Sequence, residues 1–157
     1  MNVWNIAATR RERGVTLIEL LIVVTILAIL SSLAVGSYRR YMLRANRVEA
    51  TATLLRIQVA QEKHFLQFNN YANDTATMIA DPNAGGLGIA ATTTASGSYT
   101  IGLAAGATAG STYLATATAI AGQTQDTNCP SFTVNDQNQR TPADSTGCWQ
   151  SDRKSVV

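Results

Sequence analysis

The sequence predicts an α+β protein in which a long N-terminal α-helix carries a small head built on an antiparallel β-sheet. Three observations lead to this prediction. An apolar run covers residues 15–35, a helical pattern without proline continues from it to Phe68, and short strand-like runs follow between residues 98 and 134. The chain of 157 residues is long enough for one modest domain and an appendage.

The apolar run is long enough to cross a membrane and contains one charge. Its 21 residues include only five polar ones: Thr16, Glu19, Thr25, Ser31 and Ser32. At the rise of an α-helix the run is about 30 Å long, which is the thickness of a bilayer core. A carboxylate in hydrocarbon costs about 2.5–3.5 kcal/mol. We therefore expect Glu19 to have a specific partner.

The formal charge of +2 resides in the short leader before this run. Residues 1–14 carry three arginines and one glutamate, and the remaining chain has nine basic and nine acidic side chains. A secretory signal peptide would have a shorter apolar core than this one. A plain membrane anchor fits the length but leaves Glu19 and the Arg13–Gly14 junction unexplained. Without its leader the chain has no bulk charge that would attract nucleic acid or anionic membrane.

The segment from Arg13 to Val24 reads RGVTLIELLIVV. It resembles the leader and N-terminal segment of type IV prepilins and of the related type II secretion pseudopilins. The resemblance implies the type IV pilin fold, and it places the leader in the cytoplasm. Two positions depart from the usual pattern: Val15 stands where the family mostly has phenylalanine, and Gly36 stands where it often has proline.

The resemblance also implies how the chain is processed. A membrane-bound prepilin peptidase is expected to cut after Gly14 and to N-methylate Val15, the new N-terminal residue. The new α-amine is largely charged at neutral pH. Glu19 lies four residues further on, and the resemblance implies that it pairs with the amine of a neighbouring subunit during assembly. Alternatively, Glu19 satisfies the N-terminus of its own helix near the headgroups; the two roles are compatible.

The helical pattern continues beyond the apolar run. An apolar stripe at alternating steps of four and three predicts that the second half of the helix packs under the head; its members are Tyr41, Ala45, Val48, Ala52, Leu55 and Val59. Arginines at 39, 40, 44 and 47 could contact headgroups, acidic groups of other subunits or DNA, and a solvated helix face is the preferred interpretation. The predicted helix covers residues 15–68, with 15–35 as membrane span and later filament core.

The head is expected in residues 69–157. A loop-rich connector precedes two strands predicted at 98–104 and 112–120, and a third run at 132–134 completes a sheet of three or four strands. Cys129 and Cys148 suit a disulfide in an oxidising compartment, with free thiols in the cytosol as the alternative. The CPSFTV and GCW segments around these cysteines resemble the C-terminal disulfide region of pilins, which implies the same pairing.

We find no residues in the sequence that would form an active site. His64 has no acidic or thiol partner at ligand spacing and is interpreted as a packing residue, and the glycines at 85–88 lack the features of a phosphate-binding loop. Asn73-Asp74-Thr75 matches a glycosylation sequon but carries little weight. No metal or cofactor is expected, and the protein is predicted not to be an enzyme.

The function predicted from the sequence is that of a structural subunit of a type IV pilus, specifically a minor pilin of the PilE type. Its expected partners are other pilin subunits, the prepilin peptidase, the assembly machinery of the inner membrane and, before assembly, the lipid of that membrane. The filament would serve twitching motility, adhesion or DNA uptake. The alternatives are a type II secretion pseudopilin, against which the disulfide counts, a competence pilin that binds DNA, and an unrelated anchored membrane protein. The sequence gives little support for nucleic acid as a partner, because the head has few basic residues.

Overall fold

A computed structural model describes residues 14–143 and 147–149. The elements are a long helix α1 (Leu17–Phe68), a short helix α2 (Thr75–Ile79) and strands β1 (Tyr99–Ala105), β2 (Tyr113–Ala119), β3 (Ser131–Asn135) and β4 (Arg140–Thr141). Two single-turn 3₁₀ helices lie at Pro82–Ala84 and Ala121–Gln125. The chain divides into two compact units between Arg39 and Arg40.

The described part of the first unit consists of the first turns of α1. This helix includes a stretch long and apolar enough to cross a membrane, judged by length and composition, and no residue of that stretch is buried in the structure. Its large apolar side chains are about half exposed or more, from Leu17 at 83 % to Val35 at 58 %. Hydroxyl groups within it bond to the helix itself, since Thr25 donates to the carbonyl of Leu21 and Ser32 to that of Ile29.

The second unit is the head, which contains the rest of α1 and a four-stranded antiparallel sheet in the order β1-β2-β3-β4. Tyr99 pairs with Ala119 at one end of the β1–β2 ladder, and Leu114 pairs with Asn135 between β2 and β3. Alternate strand residues are buried, as a sheet with one covered face requires. The predicted strands at 98–104, 112–120 and 132–134 are therefore confirmed with small shifts of their ends.

One apolar cluster forms the core of the head. Fully buried side chains from α1, the connector and three strands meet in it; the largest are Tyr99, Tyr113, Phe132, Leu54, Ile57, Met78 and Ile101. Cys129 and Cys148 form a disulfide with 5.8 Å between their Cα atoms, which encloses β3 and β4. The predicted α+β fold with a C-terminal disulfide is confirmed.

The prediction for the buried face of α1 was wrong. The side chains that face the core are Ala50, Thr51, Leu54, Ile57, Gln61 and His64, whereas every member of the predicted stripe is exposed; those members are Tyr41, Ala45, Val48, Ala52, Leu55 and Val59. Polar side chains complete the buried face because the connector supplies partners for them. Gln61 donates to the carbonyl of Ala72 at 2.7 Å and accepts from its amide at 3.0 Å.

The connector from residue 69 to 98 has more structure than the sequence indicated. Asp74 caps α2 by accepting from the amide of Thr77 at 2.7 Å. The glycine-rich turn is tightly packed, because a Cβ on Gly86 would lie 2.1 Å from the carbonyl oxygen of Ala80. The side chain of Leu87 is buried. These glycines therefore serve close packing rather than phosphate binding.

Candidate assembly site and head surface

The start of α1 contains the residues on which the assembly prediction rests. Gly14 and Val15 precede the helix, and both are exposed. The hydroxyl oxygen of Thr16 accepts from the backbone amide of Glu19 at 3.3 Å. Thr16 is therefore the N-cap, and Glu19 occupies the third helical position. This is the sequence pattern of a capping box, of which only the bond to Thr16 is formed.

Thr16 is a residue that the sequence reasoning missed. The pattern Ser/Thr-x-x-Glu directly before an apolar run is a signature of a helix N-terminus, and Thr16-Leu17-Ile18-Glu19 fits it. The cap fixes where the helix begins, so the position of Glu19 relative to the Gly14–Val15 bond is set by local hydrogen bonding. One helical turn separates the carboxylate from the bond at which cleavage is expected.

The carboxylate of Glu19 is exposed. Among residues 14–143 and 147–149, none makes a hydrogen bond or an ion pair with it. Glu19 is the single ionisable side chain of residues 15–35. The hydroxyls of Thr25 and Ser32 in the same segment bond to the helix itself. An unpaired carboxylate in an apolar environment is energetically costly, and a cationic partner would lower that cost.

The arginines at 40, 44 and 47 form different contacts in the head. Arg47 binds the carboxylate of Asp126 with two nitrogens, Nε at 2.5 Å and Nη2 at 2.6 Å. This hydrogen bonding raises the pKa of Arg47 above its ordinary value. Arg40 and Arg44 line a cavity beside residues 125–128, to which Arg47 also contributes. Arg47 and Asp126 are 79 positions apart in the sequence, which explains why the sequence alone did not pair them.

A polar network surrounds this ion pair. Gln123 is buried and donates to the hydroxyl of Tyr99 at 2.9 Å and to the carbonyl of Leu43 at 3.2 Å. Its side-chain oxygen accepts from Asn46 at 3.0 Å. These bonds attach the 3₁₀ helix Ala121–Gln125 to both α1 and the sheet. Arg47 therefore has a structural role, whereas the sequence analysis had placed it on a solvated face of the helix.

His64 and Thr75, the last residue of the sequon, also have structural roles. The ring nitrogens of His64 lie 2.8 Å from the carbonyl oxygen of Asn70 and 3.1 Å from that of Gly85. The hydroxyl of Thr75 contacts the backbone of Leu103 at 3.3 and 3.4 Å. Within the described residues, no group of three or more histidine, cysteine or acidic side chains could hold a metal ion.

A cationic and an aromatic side chain meet on the head next to the disulfide. The guanidinium carbon of Arg140 lies 5.2 Å from the ring centroid of Trp149, whose indole nitrogen donates to the carbonyl of Thr141 at 3.1 Å. The ring of Trp149 also packs edge-on against Phe132 at 5.6 Å. Arg140 and Trp149 are half-buried. This pair is the one place in the described head where an arginine stacks on an aromatic ring.

The long capped helix, its exposed apolar half and the disulfide-closed sheet define a type IV pilin. Comparison with known families agrees. A model described as "Type IV minor pilin ComP, DNA uptake sequence receptor" matches residues 36–133, more than half of the chain, and a model of the prokaryotic N-terminal methylation motif matches residues 9–35. The chain belongs to the ComP family of type IV minor pilins.

A characterised relative is similar in part. The type IV major pilin protein PilA of Myxococcus xanthus (strain DK1622) is 36 % identical over 63 residues, which cover 40 % of this chain and 29 % of that protein. The aligned region thus spans less than a third of the relative's length. It supports membership among the type IV pilins.

Proposed function

We propose that this chain is a minor subunit of a type IV pilus, made as a precursor with a leader at 1–14, a helix at 15–68 and a head at 69–157. Cleavage after Gly14 and N-methylation of Val15 would produce the mature subunit. The inner membrane would hold it through residues 15–35 until the assembly machinery transfers it into an extracellular filament. Its role is structural rather than catalytic.

One observation carries this proposal. The apolar half of α1 is exposed along its whole described length, and its single carboxylate, at Glu19, has no partner among the described residues. Burial against other apolar helices would remove that surface from water once the subunit has left the lipid. A methylated but still cationic α-amine on Val15 of a neighbouring subunit would neutralise Glu19 in the same step.

Two measurements test the proposal. Mass spectrometry of the N-terminus should find N-methylated Val15 in the wild-type protein. Glu19→Ala should leave cleavage intact and reduce the amount of subunit in sheared pili about tenfold or more, because a buried α-amine would remain unpaired. Glu19→Asp is the matched control and should retain part of the assembly. An intact leader, or normal incorporation of Glu19→Ala, would contradict the proposal.

DNA uptake is a second candidate function, and the description of the matching family favours it. On the head, the stacked pair of Arg140 and Trp149 offers a cation and a partly exposed ring, the combination on which nucleic acid bases stack. Residues 69–143 and 147–149 include no lysine, arginine or histidine other than Arg140. The pilins named in the comparisons lend no support to the alternative of a type II secretion pseudopilin.

DNA binding can be measured with the full-length protein in detergent and a labelled DNA duplex. Stacking contributes about 1–3 kcal/mol per base, so Trp149→Ala should weaken binding about five- to hundredfold. Arg140→Ala should weaken binding and flatten its dependence on salt. Arg56→Ala, which removes an exposed arginine from α1, is the matched control. Equal effects of Arg140→Ala and Arg56→Ala, together with unchanged binding by Trp149→Ala, would assign any binding to bulk charge alone.

A further inference from the structure

A small cavity with a basic lining lies between the part of α1 that belongs to the head and the end of the second 3₁₀ helix. It has a volume of about 250 Å³, and its lining consists of Arg40, Leu43, Arg44, Arg47 and residues 125–128. We call it the arginine cavity. Its volume corresponds to about eight water molecules, which is room for a phosphate group but not for a folded partner.

The arginine cavity has an excess of positive charge. Of its three arginines, Arg47 is paired with Asp126, which is itself buried. No residue among 14–143 and 147–149 forms a hydrogen bond or an ion pair with the guanidinium groups of Arg40 or Arg44. Because these two residues lie four positions apart on α1, they share one face of the helix and repel each other. A bound anion would relieve this repulsion.

Neutral hydrogen-bond donors complete the lining. Thr127 and Asn128 are exposed, and neither side chain has a hydrogen-bond partner among the described residues. A hydroxyl and an amide can each donate to an oxygen of a ligand. Guanidinium groups match the geometry of phosphate oxygens and form strong, charge-assisted hydrogen bonds with them. The donor set of the cavity therefore suits a phosphate.

The position of Arg40 in the sequence indicates the source of this phosphate. Arg40 follows Val35, the last residue of the predicted membrane span, by five positions, which corresponds to about 7.5 Å of helix. The headgroup region extends about 5–7 Å beyond the hydrocarbon core on each side. Tyr38 and Tyr41 flank Arg40 and are exposed, and tyrosine is enriched at membrane interfaces. A lipid phosphate is therefore within reach of this residue while the chain is in the membrane.

We propose that the arginine cavity binds the phosphate of an anionic phospholipid, such as phosphatidylglycerol, before the subunit leaves the membrane. Arg40 and Arg44 bind the phosphate oxygens, and Thr127 and Asn128 donate hydrogen bonds to the headgroup. The lipid thereby connects α1 to the loop at residues 125–128. This inference rests on the membrane stage of the proposed function, and it requires no filament.

Native mass spectrometry of the full-length protein in neutral detergent, with added phosphatidylglycerol or phosphatidylcholine, measures the binding. The wild type should bind phosphatidylglycerol about tenfold or more tightly, because each arginine near anionic lipid strengthens binding about fivefold. Arg40→Gln/Arg44→Gln should lose this preference. Arg56→Gln/Lys63→Gln removes the same charge from exposed positions further along α1 and should keep it. Equal losses in the two double variants would assign the preference to bulk charge and overturn the inference.

Inorganic phosphate distinguishes a lipid ligand from a free phosphate ion. At a concentration equal to that of the lipid it should not displace phosphatidylglycerol, because the acyl chains share the micelle with α1 and raise the local concentration of the headgroup. Displacement at equal concentration would assign the cavity to free phosphate and exclude the lipid.

A phosphatidylglycerol with a photoactivatable headgroup locates the site in the unaltered chain. In vesicles that contain the wild-type protein, the label should appear on the peptide with residues 125–128 as well as on α1. Label confined to α1 would mean that the arginines meet lipid along an open helix surface, which would overturn the assignment to the cavity. This measurement decides the question if a double variant does not accumulate with an intact Cys129–Cys148 disulfide.

The two proposals fail in different ways. If the wild-type chain keeps its leader or is absent from pili, the proposed function fails. If the wild-type chain is processed and enters pili, but phosphatidylglycerol binds Arg40→Gln/Arg44→Gln as tightly as the wild type, only the lipid site is excluded. A loss of that variant from pili with unchanged lipid binding would assign the two arginines to an acidic group of a neighbouring subunit instead.

Discussion

The two faces of α1 in the head differ less in polarity than those of an ordinary surface helix. The face toward the sheet buries Gln61 and His64 beside Leu54, whereas the outward face presents Leu55 and Val59. The inner face can be polar because each of those groups meets a backbone partner in the connector. The outer face has no described partner within the chain. The difference teaches that the apolarity of its side chains does not identify which face of this helix is buried in the head.

Leu54 and Leu55 are adjacent and allow the two faces to be compared with one chemical change. Leu54 is fully buried and Leu55 is 39 % exposed. Leu54→Ala should lower the free energy of unfolding by about 2–5 kcal/mol, because it leaves a cavity in the core. Leu55→Ala should change it by no more than about 1 kcal/mol. Denaturant unfolding of the full chain in detergent, followed by tryptophan fluorescence, gives both values, and equal losses would refute the assignment of faces.

Two arginines on α1 allow a second comparison, in which the expected difference in the free energy of unfolding is smaller. Asp126 is buried and bound by Arg47, so Arg47→Met should leave a carboxylate without its cation and cost about 2–4 kcal/mol, less than for a fully enclosed pair. Arg44→Met removes an exposed arginine of the same helix and should change stability by about 0.5 kcal/mol or less. The same unfolding experiment distinguishes them. A loss for Arg44→Met as large as that for Arg47→Met would mean that the ion pair has no special role.

Much of this fold follows from local patterns in the sequence. The length of α1 and the strands around Tyr99 and Tyr113 were predictable, because periodicity and alternation are local signals. The Cys129–Cys148 disulfide was predictable because the chain has two cysteines and an apolar segment that indicates export, and because the segments around them resemble those of pilins. Gly14, Val15 and Glu19 were recognised through a motif at fixed spacing, and their roles in processing and assembly stay predictions.

The features that sequence reasoning missed depend on distant contacts or on weak local signals. The buried face of α1 was misassigned because Val48, Leu55 and Val59 are more apolar than Thr51, Gln61 and His64. The burial of the latter set is compensated by hydrogen bonds within the head, four of them to backbone groups of the connector. Helix α2 has only five residues, too few for a periodic signal, although Asp74 at its start is a recognisable cap.

The smallest predicted effect is a loss of stability at alkaline pH, which arises from two tyrosines buried in the core of the head. Burial raises the pKa of Tyr99 to about 12, opposed in part by the hydrogen bond from Gln123. Burial likewise raises the pKa of Tyr113, whose hydroxyl has no hydrogen-bond partner in the described structure. A tyrosine pKa raised above its unfolded value of about 10 gives stability that is fully present below pH 10 and is lost as pH rises toward 12.

The denaturant concentration at the unfolding midpoint of the full chain should therefore decrease as the pH is raised from about 8 to about 11. Tyr99→Phe should be less stable at pH 8, because Gln123 loses an acceptor, but its midpoint should decline less over the same interval, since one of the two buried phenols no longer titrates. Tyr113 would account for the decline that remains. A midpoint equally sensitive to pH in the wild type and in Tyr99→Phe would show that Tyr99 does not couple its ionisation to the packing of the sheet against α1.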